Sequence, residues 1–188
     1  AAILRTKLIK KPGKERKIIR LVEDIISSNP HRELIINYLK LWPDETSLQR
    51  FQRLKKVMTK CANSLQGQLI LAEIALDAEL WGEARKNLDD IPQDDITSHG
   101  CRLMARVEQQ EKNDEKEARR WFEMSITAKT DHSWTCKSCG ATSEEWSALC
   151  GNCDAFDMLT WKVPPRVSAI SKSITFDTKE EQLENIEQ

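Results

Sequence analysis

The sequence has few residues that break helices. Its 188 residues include only six glycines and six prolines, whereas 39% of the residues are hydrophobic and 31% are charged. This composition is typical of a soluble protein built mostly from amphipathic helices. It therefore predicts a mostly α fold class.

Long apolar runs and a large net charge are also missing. No stretch is apolar over a sufficient length to cross a bilayer, and no secretory signal pattern is present. The formal net charge is −1, so the chain lacks an overall field that would attract nucleic acid or a membrane. Because the sequence begins with Ala1 rather than Met, we expect it to be cut from a longer protein.

Sequence motifs for catalysis are absent as well. There is no glycine-rich phosphate loop, no nucleophile elbow and no carboxylate pair tied to a predicted pocket. His31, His99 and His132 are far apart in sequence and close to predicted turns. His132 could be a spare metal ligand, but a surface position is the simpler interpretation. We therefore predict a protein that is not an enzyme and has no small-molecule substrate.

Composition divides the chain into four segments. Residues 1–16 are basic, residues 17–130 have helical periodicity, residues 131–166 are rich in cysteine, and residues 167–188 are acidic. We interpret the first segment as a solvated helix end, with a juxtamembrane flank as the alternative. The last segment is predicted to be a disordered tail.

Apolar residues in segment 17–130 recur at the spacing of amphipathic helices. Pro30, Pro43 and Pro92 separate the periodic stretches, which predict six or seven helices. Two apolar stripes illustrate the pattern: Ile18, Ile19, Val22, Ile25 and Ile26 in the first, and Leu69, Ala72, Leu76 and Leu80 in the second.

A loose internal repeat lies within the helical segment. Ala84 and Ala118 are 34 residues apart, and each is followed four residues later by a bulky residue, Leu88 or Phe122. Small residues let two helices approach closely, and the bulky residue is predicted to fill the groove between them. This period resembles the tetratricopeptide repeat, a helical hairpin that stacks into a curved surface. A generic helical bundle is the alternative. Each copy follows a predicted helix with a small residue in mid-face, Ala72 or Ala105.

The strongest signal is a pair of cysteine knuckles. Cys136, Cys139, Cys150 and Cys153 form the pattern C-x2-C-x10-C-x2-C, which matches a tetrahedral metal site with four thiolate ligands. The glycine after the first knuckle, at position 140, can adopt a positive φ. The second knuckle is followed by an aspartate at position 154, which tolerates the same conformation, and the glycine at position 151 adds freedom.

Two disulfides are the alternative interpretation of the four cysteines, but the twin spacing would then be a coincidence. Cys61 and Cys101 stand alone on helical stretches and are predicted to be ordinary buried thiols, which suggests a reducing compartment. We therefore predict a metal, either zinc or, as the alternative, iron as in rubredoxin. Since cysteine would fill all four positions, the metal is predicted to be structural. Zinc would contribute on the order of 10 kcal/mol to folding of this small block.

Aromatic residues surround the predicted knuckles. We expect them to form a small core and a surface that docks on the helices. Residues 131–166 carry five acids and three bases, a balance that disfavours a zinc ribbon binding nucleic acid. Neither knuckle reads C-x-x-C-H, so covalent haem attachment is excluded. The predicted core residues are Trp134, Trp146, Phe156, Leu159 and Trp161.

Several strings together resemble the C-terminal part of the HemY-like tetratricopeptide proteins of proteobacteria. The resemblance covers about residues 17–166, and its most specific parts are the Trp-Cys knuckles and the ending AFDMLTW. The layout of helical repeats followed by a rubredoxin-like block is also similar to the lipopolysaccharide assembly proteins of the LapB type. Other matching strings are NPHRELIINYLKLWP, ALDAELWGEARKNL, CRLMARVEQQEKND and EARRWFEMSITA.

The resemblance implies a function and a location. Such proteins carry N-terminal transmembrane helices, with their repeats on the cytoplasmic face of the inner membrane. It implies an adaptor whose repeats bind protein partners such as inner-membrane enzymes or a protease. The HemY name implies a link to haem biosynthesis, although the sequence shows no haem ligand set. The alternatives left open are a rubredoxin-like iron electron-transfer module and a nucleic-acid-binding zinc ribbon.

Overall fold

The computed structural model describes residues 15–165. Most of the predicted basic segment 1–16 and all of the predicted tail 167–188 lie outside this range. The described part is mostly helical, as predicted, with seven α-helices and three short strands. The helices are α1 Glu15–Ser28, α2 Arg32–Leu39, α3 Ser47–Val57, α4 Leu65–Asp77, α5 Trp81–Asp89, α6 Ser98–Glu111 and α7 Glu115–Thr127; the strands are β1 Ser133–Cys136, β2 Thr142–Ser143 and β3 Leu159–Lys162.

Local side-chain chemistry fixes where several helices begin. Thr46 forms a reciprocal capping box with Gln49 at the start of α3. Ser64, Thr97 and Asp114 each accept a backbone N–H three residues ahead, at the starts of α4, α6 and α7. These contacts satisfy N–H groups that have no partner within their helix. The short helices are therefore delimited by polar caps as well as by prolines.

The helices pack mainly against their neighbours in sequence. Contacts join α4 to α5, α5 to α6 and α6 to α7, and α4 also touches α6 directly. A Cβ on Gly100 would lie 2.8 Å from Ile96 and 3.1 Å from Leu69 of α4, so glycine permits this close approach. One hydrophobic core runs through the helices, and a second, smaller core lies in the cysteine block.

The small positions of the internal repeat are buried as expected. Their exposed fractions are 2% or less, which is consistent with close approach of the helices there. The bulky positions differ, because Leu88 is 1% exposed whereas Phe122 is 45% exposed. The prediction that Phe122 fills a groove between helices was wrong, since nearly half of its side chain is exposed. The small positions are Ala72, Ala84, Ala105 and Ala118.

The second predicted apolar stripe extends past the end of its helix. Helix α4 ends at Asp77, and Glu79 has a φ of 57°, which turns the chain toward α5. Leu80 therefore lies half-buried in the turn and not on the helix face as predicted. Among residues 15–165, no helix is both long and apolar enough to cross a bilayer.

The cysteine block contains a small antiparallel sheet in the order β2-β1-β3. Trp134 of β1 pairs with Trp161 of β3, and Cys136 pairs with Leu159. Strand β1 therefore carries a tryptophan and a predicted metal ligand two residues apart. This register connects the knuckles to the aromatic surface that faces the helices.

Candidate metal centre

The fold brings the four predicted cysteines together. Their Sγ atoms all lie within 4.8 Å of one another and could hold a metal ion. The shortest contacts join the two knuckles: Cys136 to Cys153 at 3.8 Å, and Cys139 to Cys150 at 3.7 Å. These separations are far longer than a disulfide bond, and all four thiols are free.

The sulfur spacing suits a tetrahedral ion. Zinc–thiolate bonds of about 2.3 Å require sulfurs about 3.8 Å apart along each edge of the tetrahedron. The two contacts between the knuckles have close to that length. Iron with four thiolates is also tetrahedral, so the geometry fits a metal of this class without choosing between the two.

The two knuckles repeat the same backbone pattern. The N–H of Gly140 donates to the Cys136 carbonyl at 3.0 Å, and the N–H of Asp154 donates to the Cys150 carbonyl at 2.9 Å. Gly140 has a φ of 76° and Asp154 a φ of 54°, the conformation that the sequence predicted. Gly151 has no positive φ, so the freedom predicted for it is not used.

Neighbouring donors make the two surface thiols unequal. The side chain of Asn152, followed by the N–H of Ala141, lowers the pKa of Cys139 to about 6. The N–H of Ala155 also acts to lower the pKa of Cys153, but the neighbouring thiols outweigh it and raise that pKa to about 11. A metal must displace the protons that such a cluster retains, so we expect metal binding to weaken in acid.

The predicted aromatic core is only partly correct. Trp134 and Trp146 pack against the small core that includes Cys136 and Leu159. Phe156 was predicted to join this core, but it is 70% exposed. It lies opposite Leu149, which is also exposed, in the second knuckle.

His31 links the cysteine block to the helices. It lies in the turn between α1 and α2, where its ring contacts Trp161 edge-on at 4.5 Å and Trp134 at 5.1 Å. His132 stacks on Trp161 at 6.3 Å and lies outside the four-sulfur cluster. No residue among 15–165 hydrogen-bonds to either ring nitrogen of His31, and burial lowers its pKa.

Polar contacts hold the same junction. Glu33 of α2 accepts the backbone N–H of Trp146 at 3.5 Å. Asp131 belongs to the strap, the segment 128–132 between α7 and β1. It accepts the N–H of His99 at 2.9 Å and pairs with Arg102 at 3.2 Å. This carboxylate thus satisfies an N–H in the first turn of α6 and fixes the strap against the helices.

A groove lies between the helices and the cysteine block. Its volume is about 700 Å³, and its walls come from α2, α4, α6, the strap and the small sheet. Arg32 at its edge is held by Glu73, which also lies 3.8 Å from His99. Burial opposes ionisation of Glu73, but the nearby His99 ring and the hydrogen bonds from Arg32 prevail and lower its pKa to about 2. The other polar and aromatic wall residues include Arg102, Asp131, His132, Thr142, Glu144 and Trp161.

Sequence reasoning found the cysteines but missed the junction. His31 was interpreted as one of three scattered histidines near turns, and Glu33 and Asp131 were not singled out. Their roles depend on contacts between distant parts of the chain, which no local spacing encodes. The nearest signal was the tryptophan-rich composition of the block, which predicted a surface that docks on the helices but not which helix residue it would contact.

The chain has a distant relative among known proteins. It is similar to a protein described as a probable magnetosome protein, Mms48, from Magnetospirillum gryphiswaldense, with 26% identity over 150 residues. That alignment covers 79% of this chain and 33% of the magnetosome protein, so the chain spans about a third of that relative. No family model matches the chain, and no solved structure matches it.

Proposed function

We propose that this chain is a non-enzymatic scaffold that binds a polypeptide partner between its helices and its cysteine block. The helices act as a stack of tetratricopeptide-like repeats, and the block acts as a rubredoxin-like module with a structural metal. The supporting observation is the groove of about 700 Å³ whose walls are drawn from both parts. It combines charges of both signs with an aromatic wall, which suits a peptide better than a single small anion.

The charged side chains of the groove are already positioned. Glu73 orients Arg32, and Asp131 orients Arg102, so these guanidinium groups have lost part of their freedom before a partner arrives. Such preorganisation lowers the entropy cost of binding. The guanidinium groups remain about half exposed and can offer further donors to a backbone carbonyl or carboxylate.

The proposed ligands are Cys136, Cys139, Cys150 and Cys153, and the proposed metal is zinc. When bound, the metal supplies a crosslink between the two knuckles and fixes the strands that carry Trp134 and Trp161. The support is the spacing of the sulfurs together with the register of β1, in which Trp134 lies two residues before Cys136. In this role the metal determines whether one wall of the groove is ordered.

An electron-transfer module with iron is the second candidate. It is favoured by the position of Cys139 and Cys153 at the protein surface, where a redox partner could approach the cluster. Metal analysis and colour distinguish the iron module from the zinc scaffold. A red protein with one iron and a reversible one-electron couple would support electron transfer and contradict the zinc scaffold.

The proposed setting is the cytoplasmic face of a bacterial inner membrane, within a longer anchored protein. Its support is the resemblance to the HemY-like and LapB-type proteins, together with the similarity to a probable magnetosome protein. The partner in this setting would be a membrane enzyme or a protease, with haem biosynthesis or envelope assembly as the proposed processes.

Photo-crosslinking from defined positions tests the scaffold. A crosslinking amino acid replaces Thr142 in the groove or, as the control, Leu48, an exposed residue of α3. In cells producing the full-length protein, we expect discrete partner adducts from position 142 and none from position 48. Adding Cys136→Ser should remove those adducts. The same adducts from both positions would contradict the proposal that the partner binds in the groove.

A further inference from the structure

A second apolar surface lies on the cysteine block, separate from its tryptophans. Leu149 and Phe156 face each other across an antiparallel bridge in the second knuckle. Leu149 is 54% exposed and Phe156 is 70% exposed. The tryptophans of the block are turned toward its own core and toward His31, so this pair is a separate surface.

Backbone hydrogen bonds hold the pair rigidly. The N–H of Cys150 donates to the Ala155 carbonyl at 3.1 Å, and the N–H of Asp157 donates to the Ala148 carbonyl at 2.8 Å. The two side chains are thus presented from the same turn that supplies two of the sulfurs. A rigid apolar pair loses little conformational entropy when a partner covers it, and aromatic residues in such positions often carry much of the binding energy.

The surroundings of the pair are acidic. Asp154 and Asp157 flank Phe156 in sequence and are both exposed. Residues 131–165 contain five carboxylates against two lysines, and a zinc ion with four thiolates adds further negative charge. An anionic lipid surface or nucleic acid would be repelled, whereas basic groups next to apolar ones would be attracted.

We propose that Leu149 and Phe156 form a docking surface for a basic, apolar segment of a protein partner. The apolar side chains of that segment cover the pair, and its lysines or arginines lie against Asp154 and Asp157. The proposal rests on the proposed metal-held block but not on the groove. It gives the block two faces, one packed on the helices and the other available to a partner.

Peptide titration tests the docking surface. The probe is a fluorescent amphipathic helical peptide of leucine and lysine, and its control is the same peptide with glutamate in place of lysine. The metal-loaded chain should bind the lysine peptide and not the glutamate peptide. Leu149→Ser combined with Phe156→Ser should weaken binding about tenfold or more while the metal content stays unchanged.

Matched variants make the result specific. Phe122→Ser combined with Ile126→Ser removes two exposed apolar residues of α7, 45% and 77% exposed, and should leave the affinity unchanged. Asp154→Asn combined with Asp157→Asn should weaken binding several-fold and reduce its salt dependence, because it removes two carboxylates. Asparagine tolerates the same positive φ, so the backbone conformation should be retained. Equal binding of the two peptides, or an equal loss in the α7 variant, would overturn the proposal.

Two further outcomes would assign the surface to a different occupant and would also overturn it. One is binding to phosphatidylglycerol vesicles that is lost in the Leu149/Phe156 variant. The other is a dimer in sedimentation that dissociates in the same variant. The proposal that the groove binds a partner is tested separately, by crosslinking from position 142. The variants used in the peptide titration leave that position unchanged, so the two proposals can fail independently.

Discussion

His31 contacts Trp161 edge-on, with 4.5 Å between the ring centroids, although His31 follows the first helix and Trp161 lies in the last strand. This contact joins two distant parts of the chain and places the cysteine block beside α2. Trp161 pairs with Trp134, and Trp134 precedes Cys136 on the same strand. The contact therefore connects the helices to the candidate metal centre.

The metal should order the junction as well as the knuckles. We expect Cys136→Ser to reduce the bound metal from about one equivalent to a small fraction, because three thiolates leave the tetrahedral site incomplete. Limited proteolysis should then cut first within residues 131–165, while the helices stay resistant. Cys101→Ser is the matched control, since this buried thiol lies on α6 away from the cluster. Unchanged metal content and protease resistance in Cys136→Ser would show that the metal is not structural.

Docking of the block should weaken in mild acid through His31. Burial holds the pKa of His31 below its ordinary value of 6.5, so the docked state favours the neutral ring. Because the pKa of His31 is lower in the folded than in the unfolded state, its contribution to stability is fully present above pH 6.5. This contribution is lost as the pH falls from about 6.5 through the lower pKa of the folded state. Protonation would place a cation between two tryptophans without a hydrogen-bond partner in the described chain. The other ionisable groups near this site are Arg32, Glu33, Lys40, His132, Glu144 and Glu145.

Tryptophan fluorescence can report that pH dependence. The emission of the wild-type protein should shift to longer wavelength as the pH is lowered below 6.5, as Trp134 and Trp161 become hydrated. His31→Phe keeps an aromatic ring without a titrating group, so its emission should shift much less over the same range. A shift of equal size in His31→Phe would assign the titration to another residue.

Local patterns in the sequence carried most of the correct expectations. Cysteine spacing is local, so the four thiols and the positive φ at Gly140 and Asp154 could be predicted from a few residues. Helical periodicity is also local, and it indicated six or seven helices where the described residues form seven. The exposure of Phe156 and Phe122 depends on what lies opposite, which a pattern of apolar residues does not specify. The junction at His31 was missed for the same reason.

Glu73 should make the groove sensitive to stronger acid. Burial opposes its ionisation, but the nearby His99 ring and the hydrogen bonds from Arg32 prevail and hold its pKa at about 2, below the ordinary 4.5. The resulting stability is present above pH 4.5 and is lost as the pH falls through the folded value. Since Arg32 is half exposed, solvent screening reduces the stability that the Arg32–Glu73 ion pair contributes. We therefore expect Glu73→Gln to lower the free energy of unfolding by about 1–2 kcal/mol.

Urea titrations at two pH values can check this contribution. The free energy of unfolding of wild type should exceed that of Glu73→Gln clearly at about neutral pH. This difference should be much smaller once the pH approaches the pKa of about 2 that Glu73 has in the folded protein. Asp77→Asn is the matched control on the same helix, because Asp77 pairs with Arg106 while 59% of its own side chain is exposed. The idea fails if Asp77→Asn is as destabilising as Glu73→Gln.

The two knuckles offer a direct comparison of glycine and aspartate at equivalent positions. Gly140 has a φ of 76°, and a Cβ added there would meet no atom within 4 Å. Gly140→Ala should therefore cost about 1 kcal/mol through backbone conformation alone. Asp154→Gly should be neutral or slightly stabilising, because aspartate already occupies the left-handed region at a φ of 54°.

Chelator competition measures both effects at the knuckles. The bound metal should be lost more readily from Gly140→Ala than from wild type, because the strained turn presents its two thiolates less well. It should be lost no more readily from Asp154→Gly, since glycine adopts the same conformation without strain. The opposite order would show that the Asp154 side chain, and not the backbone conformation, stabilises the second knuckle.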